Sequence, residues 1–395
     1  LNKVKITVFI SVFVAMLGVM LLAPITPSLI RELGLKEIHS GILISTGSVM
    51  TAVMAPIWGK ISDIRGRKPV IQIGLIGMAG STILLTITFY SGLQHWITGG
   101  LLLFLMIVTR SLVGIFIPAV LSASQAFIGD VTGDNERGSA MAIISAANGM
   151  GLIFGPAIAG VFTLIGLLWP LYFGITITIT VFAITLFIMP ATKPTIQKKR
   201  AKPSPFQSSL HLYLLAALIT MIGMFTIQVI SGFYLQDQLS FPSDKLAVTV
   251  SFGLMFTGVA ILLSQIVQSK WLKFEPKSMI LLGSFIFVAS MIIFLFNKGL
   301  IIYYIAFFVF GLGAGFMMTG FMAGASLSVK REQQGEVAGL VTAMQGISAI
   351  IAPILSTSLY QINKQIPMGV IALLAMLLVL SMLTIFKKTK ILQLN

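Results

Sequence analysis

The sequence predicts an all-α integral membrane protein, with twelve transmembrane helices in two pseudo-symmetric six-helix bundles. Three observations lead there. The 395 residues are 57% hydrophobic and 9% charged, with a mean hydropathy of +1.01, far less polar surface than a soluble chain of this size needs. Apolar runs of about 20 residues, the length that crosses a bilayer core as helix, recur from end to end. The second half also echoes the first at an offset of 197 residues. The length of the runs and their lack of strict alternation select helices over a barrel.

The first run, 6–30, contains Pro24 and Pro27 and shows no small-residue cleavage site, so it reads as a retained span and not a removed signal peptide. Runs at 40–59, 69–90, 98–127, 138–166 and 169–190 complete an N-terminal bundle over residues 1–190. Residues 191–209, "ATKPTIQKKRAKPSPFQSS", are rich in Pro, Lys and Ser and predict a linker at the midpoint of the chain. Runs at 210–235, 246–269, 278–296, 300–327, 336–361 and 367–386 build the C-terminal bundle over 210–395. At the offset of 197, Gly114 meets Gly311, Gly138 meets Gly335 and Gly155-Pro156 meets Ala352-Pro353. A duplicated six-helix unit explains that register and suits two bundles that rock about a central site.

Basic residues orient the spans. If both termini are cytoplasmic, that side collects 20 Lys and Arg residues, against 5 on the other side and Arg110 within a span. Both ends are therefore expected in the cytoplasm. The net charge of +15 then marks topology and contact with anionic lipid headgroups. It does not indicate nucleic acid, because the bases are spread over seven segments with no fold to present them. There is no Cys, which excludes disulfides and thiol chemistry. His39, His95 and His211 lie far apart and no hydrolase or metal motif is present, so neither an enzyme nor a metal site is expected. "GLGAGF" (311–316) follows no strand and is not a dinucleotide loop.

Four stretches carry a resemblance. "LGVMLLAPITP" (17–27) has LG, five residues, then P-x-x-P. "GKISDIRGRK" (59–68) sets five charged side chains and two glycines between the second and third runs. "RSLVG" (110–114) puts Arg-x-x-x-Gly in the fourth run, and "GLIFGPAIAG" (151–160) places G-x-x-x-G-P in the fifth, with Ala159 where a glycine is usual. In this order the sequence resembles the major facilitator superfamily of transporters, in its twelve-helix drug–proton antiporter subfamily.

The resemblance implies a monomeric exporter of a small-molecule solute in a bacterial cell membrane. It would use the proton gradient as energy source and no cofactor. It further implies that Gly59, Asp63, Gly66, Arg67 and Asp130 form a cytoplasmic latch. Asp63 would face a helix of the opposite half, and Arg67 would pair with Asp130. Gly59 is read as ending the second helix with little bulk, and Gly66 as permitting the tight turn into the third. Gly151, Gly155, Pro156 and Gly160 mark a close-packing helix 5, implied to contact the other half. Gln228, Tyr234, Met317, Met318 and Phe321 are candidates to line a cavity.

Arg110 sits deep within an apolar run, too far from either end to snorkel. By resemblance it is linked to proton transfer, with Glu32 and Asp237 as further candidates near span ends. None of the eleven acidic residues falls in the middle of a span. A cavity with an arginine and no central acid disfavours a lone cation and suits a neutral or anionic solute. The resemblance implies efflux of the multidrug type, while the missing central acid raises export of an anionic metabolite, such as a carboxylate siderophore, as the alternative.

Overall fold

The computed structural model describes residues 2–131, 137–190, 210–270, 274–297, 299–329 and 333–392. The expected linker, 191–209, lies outside the described residues, as do many of the bases that oriented the spans. Among the described residues there are thirteen α-helices, and twelve spans are long and apolar enough to cross a membrane. The first span, Lys3–Glu32, is made of two helices, α1 (Asn2–Leu22) and α2 (Thr26–Glu32). Pro24 and Pro27 each lack the N–H that a continuous helix would use. At this join the Thr26 hydroxyl donates to Leu22 O at 2.7 Å, and Leu29 N donates to Ile25 O at 3.0 Å.

The other elements of the first half are α3 (Glu37–Arg65), α4 (Arg67–Leu93), α5 (Gly99–Val131), α6 (Arg137–Thr163) and α7 (Trp169–Ile188). Those of the second are α8 (Leu210–Leu239), α9 (Ser243–Lys270), α10 (Pro276–Leu295), α11 (Leu300–Leu327), α12 (Gln334–Ile362) and α13 (Ile366–Leu392). Hydroxyls inside the spans satisfy themselves on the preceding turn, as Ser11 does on Thr7 O and Thr220 on Ala216 O, at 2.8 and 2.7 Å. That local bonding makes Ser and Thr tolerable where no water is available. Large apolar side chains turned outward, such as Phe187 (87% exposed) and Ile301 (76% exposed), have lipid as their only suitable solvent.

The described residues form two compact units, one drawn from 1–199 with 242–251, the other from 200–241 with 252–395. In the first, α1 packs on α6 and α7, α4 on α5 and α7, and α3 on α5. In the second, α8 packs on α12 and α13, and α10 on α11 and α13, while Gly253 and Gly311 bring α9 against α11. The pairs correspond one to one, so the two bundles share an internal plan.

Candidate transport site

At one end of the first unit, α3 passes into α4 through a single residue. Gly66 has φ +89°, a left-handed value that glycine adopts without strain. The helix does not stop at Gly59: α3 continues to Arg65, and no described atom lies within 4 Å of the place a Cβ would take at Gly59. The close helix approach expected there is thus absent among the described residues, and Gly66 alone makes the turn.

That turn delivers Arg67 into the protein, where its side chain is 2% exposed. Its Nε donates to Asp130 Oδ2 on α5 at 2.9 Å. One terminal nitrogen donates to Ser62 Oγ at 2.7 Å and also to Asp63 Oδ1, both on α3. Lys68 donates to Leu186 O at 3.0 Å, in the last turn of α7, where a cation meets the negative end of a helix. One loop thereby ties α3, α4, α5 and α7. Removing a partner from such a buried charge costs about 3–5 kcal/mol.

About a third of the way along α5, Arg110 is 6% exposed. Among the described residues no carboxylate pairs with it, and its Nε has no hydrogen-bond partner. An arginine at the centre of a membrane helix costs about 2.5–3.5 kcal/mol even by the mildest scale, so a neutral residue would serve packing better. The guanidinium lies flat against α3 at Gly47, where a Cβ would come within 2.8 Å of Arg110 Cζ. One turn on, Gly114 abuts the Gly47 carbonyl. Pro118 cannot donate to Gly114 O, four residues before it. The Thr51 hydroxyl replaces that donor at 3.1 Å, and it also lies 2.9 Å from Gly47 O. Trp58 Nε1 donates to Ile115 O at 2.7 Å, completing the α3–α5 seam.

The second unit repeats the seam without the charge. Phe307, 197 residues after Arg110, is fully buried, and a Cβ at Gly253 would come within 2.9 Å of its ring. Gly311 abuts the Thr257 carbonyl, and the Thr257 hydroxyl donates to Phe307 O at 3.1 Å. Around Phe307 stand Phe294, packed edge to face at 5.2 Å between centroids, and Tyr303 at 4.8 Å.

Several of the cavity candidates are packed away. Tyr234 is fully buried and donates its hydroxyl to Phe294 O. Met317 and Phe321 are also fully buried. These three are packing residues with no open surface in the structure, whereas Gln228 and Met318 keep partial exposure. Asp237, near the end of α8, accepts from the Tyr360 hydroxyl at 2.9 Å and lies 3.9 Å from Lys364 Nζ. Glu32 is exposed, next to the Arg31–Glu37 ion pair at 3.0 Å.

The glycines of α6 have identifiable neighbours. Gly151 and Gly155 face α1, where added Cβ atoms would strike Met16 and Met20, and Gly160 meets Ser251 on α9. Ala159 is fully buried with Leu17 and Leu21. Gly151 and Gly155 thus pack on α1 of their own half, while Gly160 meets α9. Small residues there let two backbones approach in a medium that offers no hydrophobic drive between helices.

A family model described as Major Facilitator Superfamily matches residues 8–353 and 271–391. The chain belongs to the Major Facilitator Superfamily. The tetracycline resistance protein, class B, of Escherichia coli is 26% identical over 384 residues, 93% of this chain and 90% of that protein. Multidrug resistance protein 2 of Bacillus subtilis (strain 168) is 24% identical over 388 residues, 93% of this chain and 92% of that one. Among solved structures, the nucleoside transporter NupG superposes with a TM-score of 0.75 at 13% identity, over 97% of this chain and 100% of that one. At that identity the likeness speaks for the fold.

As a superfamily member the protein is a transporter and not an enzyme. Sequence reasoning missed Gly47, Ser62, Tyr360 and Lys364 as members of its polar sites. Gly47 had one available signal: it stands 206 residues before Gly253, as Thr51 does before Thr257. Tyr360 and Lys364 had none, because nothing in the chain pairs them with Asp237 over 123 residues.

Proposed function

We propose that this protein is a secondary active exporter of small amphiphilic solutes, working by alternating access and exchanging solute for protons. Its bundles, 1–190 and 210–395, would rock about a central path, joined by a cytoplasmic linker, in a bacterial cell membrane with both termini inside. One observation carries this reading: Arg110, a buried cation without a carboxylate partner among the described residues, at a place where the duplicated half has Phe307. A charge that packing does not require, inside a span, is expected to serve transport. The names of the full-length relatives, which are resistance proteins, support efflux as its direction.

In this reading the Arg67–Asp130–Asp63 cluster is the latch: formed in one access state, broken in the other. Protons would load at acids nearer the membrane faces, with Asp237 and Glu32 the candidates, or on the solute itself. A second reading, export of an anionic metabolite, is favoured by the absence of any acid in the middle of a span, which leaves Arg110 to set a positive potential there.

The test uses purified protein in proteoliposomes with an imposed pH gradient. The probes are tetracycline, a quinolone, a lipophilic cation dye and a tricarboxylate. Gradient-driven accumulation of at least one probe is expected, and accumulation indifferent to the gradient for all four would overturn proton exchange. Competition sorts the second reading: tight dye binding with no response to the tricarboxylate rejects an anionic cargo.

A further inference from the structure

The α3–α5 seam contains a glycine whose missing side chain leaves room for the Arg110 guanidinium. An added Cβ at Gly47 would lie 2.8 Å from Arg110 Cζ, 2.9 Å from a terminal nitrogen and 3.0 Å from Nε. All three atoms belong to the guanidinium, so the missing side chain is what lets that group lie flat on α3. The geometry points to Gly47 as the positioning residue for Arg110: it fixes where the buried positive charge sits and hence how transport is coupled. The inference rests on Arg110 carrying the coupling, as proposed above.

Two contrasts separate positioning from plain helix packing. Gly114, on the same seam, abuts the Gly47 backbone carbonyl, and a methyl group there would push whole helices apart. A methyl group at Gly47 meets the far end of a long, flexible side chain, so the helices stay and the guanidinium moves. The second contrast is built into the repeat. Gly253 stands against Phe307 as Gly47 stands against Arg110, at 2.9 Å from the ring. Gly253→Ala therefore applies a matched steric insult to a seam with no charge, and it is the control that a merely structural account treats as equivalent.

The first arm of the test needs no transported solute. The chain has 7 arginines, so selective 15N-arginine labelling of the purified protein gives a short set of Nε–Hε resonances, with Arg110 assigned by its loss in Arg110→Lys. Gly47→Ala should shift the Arg110 resonance and leave the other six in place, whereas Gly253→Ala should leave all seven. An unmoved Arg110 resonance in Gly47→Ala overturns the inference. If Gly47→Ala does not insert stably, combining it with Arg110→Lys, whose ammonium needs less room, must restore folded protein. Failure to restore it also overturns the inference.

The second arm uses whichever of the four probes the parent accumulates. Gly47→Ala should lower gradient-driven accumulation by about tenfold, since a sub-ångström displacement of a functional group carries a penalty of that order. Equilibration down a solute gradient at equal pH should change less than about twofold, because uncoupled binding does not depend on the charge being in place. In an Arg110→Ala background, where accumulation is already gone and no guanidinium remains to displace, Gly47→Ala should cost no further thermal stability. Additive losses would assign Gly47 to packing and reject the positioning role. A shifted resonance with unaltered coupling in both Gly47→Ala and Arg110→Ala would instead strike down the coupling role of Arg110.

Discussion

The α3–α5 seam of the first unit and the α9–α11 seam of the second share one plan with opposite contents. Each has a glycine receiving the side chain from one position of the partner helix, and a threonine one turn along whose hydroxyl bridges to a partner carbonyl. In the second unit the received side chain is Phe307, enclosed by other rings. In the first it is Arg110, which no acid meets among the described residues. An apolar ring is therefore enough to build the seam, and the charge in the first half answers to something other than folding. The junction cluster repeats the asymmetry. The offset that takes Gly47 to Gly253 takes Asp63 to Ser269, so the acid of the loop has no counterpart in the second half.

The comparison breaks most visibly by truncating the received side chains. Arg110→Ala should abolish gradient-driven accumulation in proteoliposomes while leaving thermal unfolding close to the parent's, since a costly buried charge has gone. Phe307→Ala should do the reverse. It empties a fully buried ring site, a loss of about 3–5 kcal/mol on the scale of soluble cores, while transport per folded molecule persists. Full pumping by Arg110→Ala would make that arginine structural and end the contrast.

A smaller effect is expected at the junction. Arg67 is held by Asp130, 23% exposed, and by Asp63, 37% exposed. Asp130→Ala strands the buried guanidinium Nε and should destabilise the first unit by about 3 kcal/mol or more. Asp63→Asn keeps a polar group at the wetter position, so its cost should be about 1 kcal/mol or less. It should nevertheless remove most transport if the proposed latch operates, because that role needs a charge that the fold does not. Equal thermal shifts for the two variants, with normal flux in Asp63→Asn, would make the loop a simple anchor.

The sequence displayed the fold readily because membrane spans are long and their backbones satisfy themselves locally. The run expected at 300–327 coincides with α11, and 210–235 falls within α8. Arg110 was equally visible, as a charge in an apolar run needs no neighbour to be conspicuous. The partners were hidden. Nothing local marks Gly47 as the floor beneath a guanidinium 63 residues away in sequence. Tyr234 and Phe321 look like cavity residues until packing shows them fully enclosed. Gly59 was misread for the opposite reason: a glycine in a loop motif suggests an ending, but the residues after it continue the helix to Arg65. Long-range packing decides all of these.

The finest difference between the seams lies in their threonines. Pro118 leaves Gly114 O without its helical donor, and the Thr51 hydroxyl supplies the replacement at 3.1 Å. The second half has Gly315 at the position corresponding to Pro118. Its N–H is available to Gly311 O, and Thr257 donates instead to Phe307 O, which already has a donor in the N–H of Gly311. Thr51→Val should therefore cost about 1 kcal/mol, the range of an interhelical hydrogen bond in a membrane protein, because it leaves an unmet carbonyl. Thr257→Val should cost a few tenths of a kcal/mol at most, since every backbone group keeps a partner. Restoring the donor checks the cause: Pro118→Ala should erase most of the Thr51→Val deficit and have no such effect on Thr257→Val. Thermal unfolding of the four variants in one detergent reads the cycle. Equal losses at Thr51 and Thr257, or no rescue by Pro118→Ala, would show that the hydroxyls act by packing and that the seams differ only in the charge.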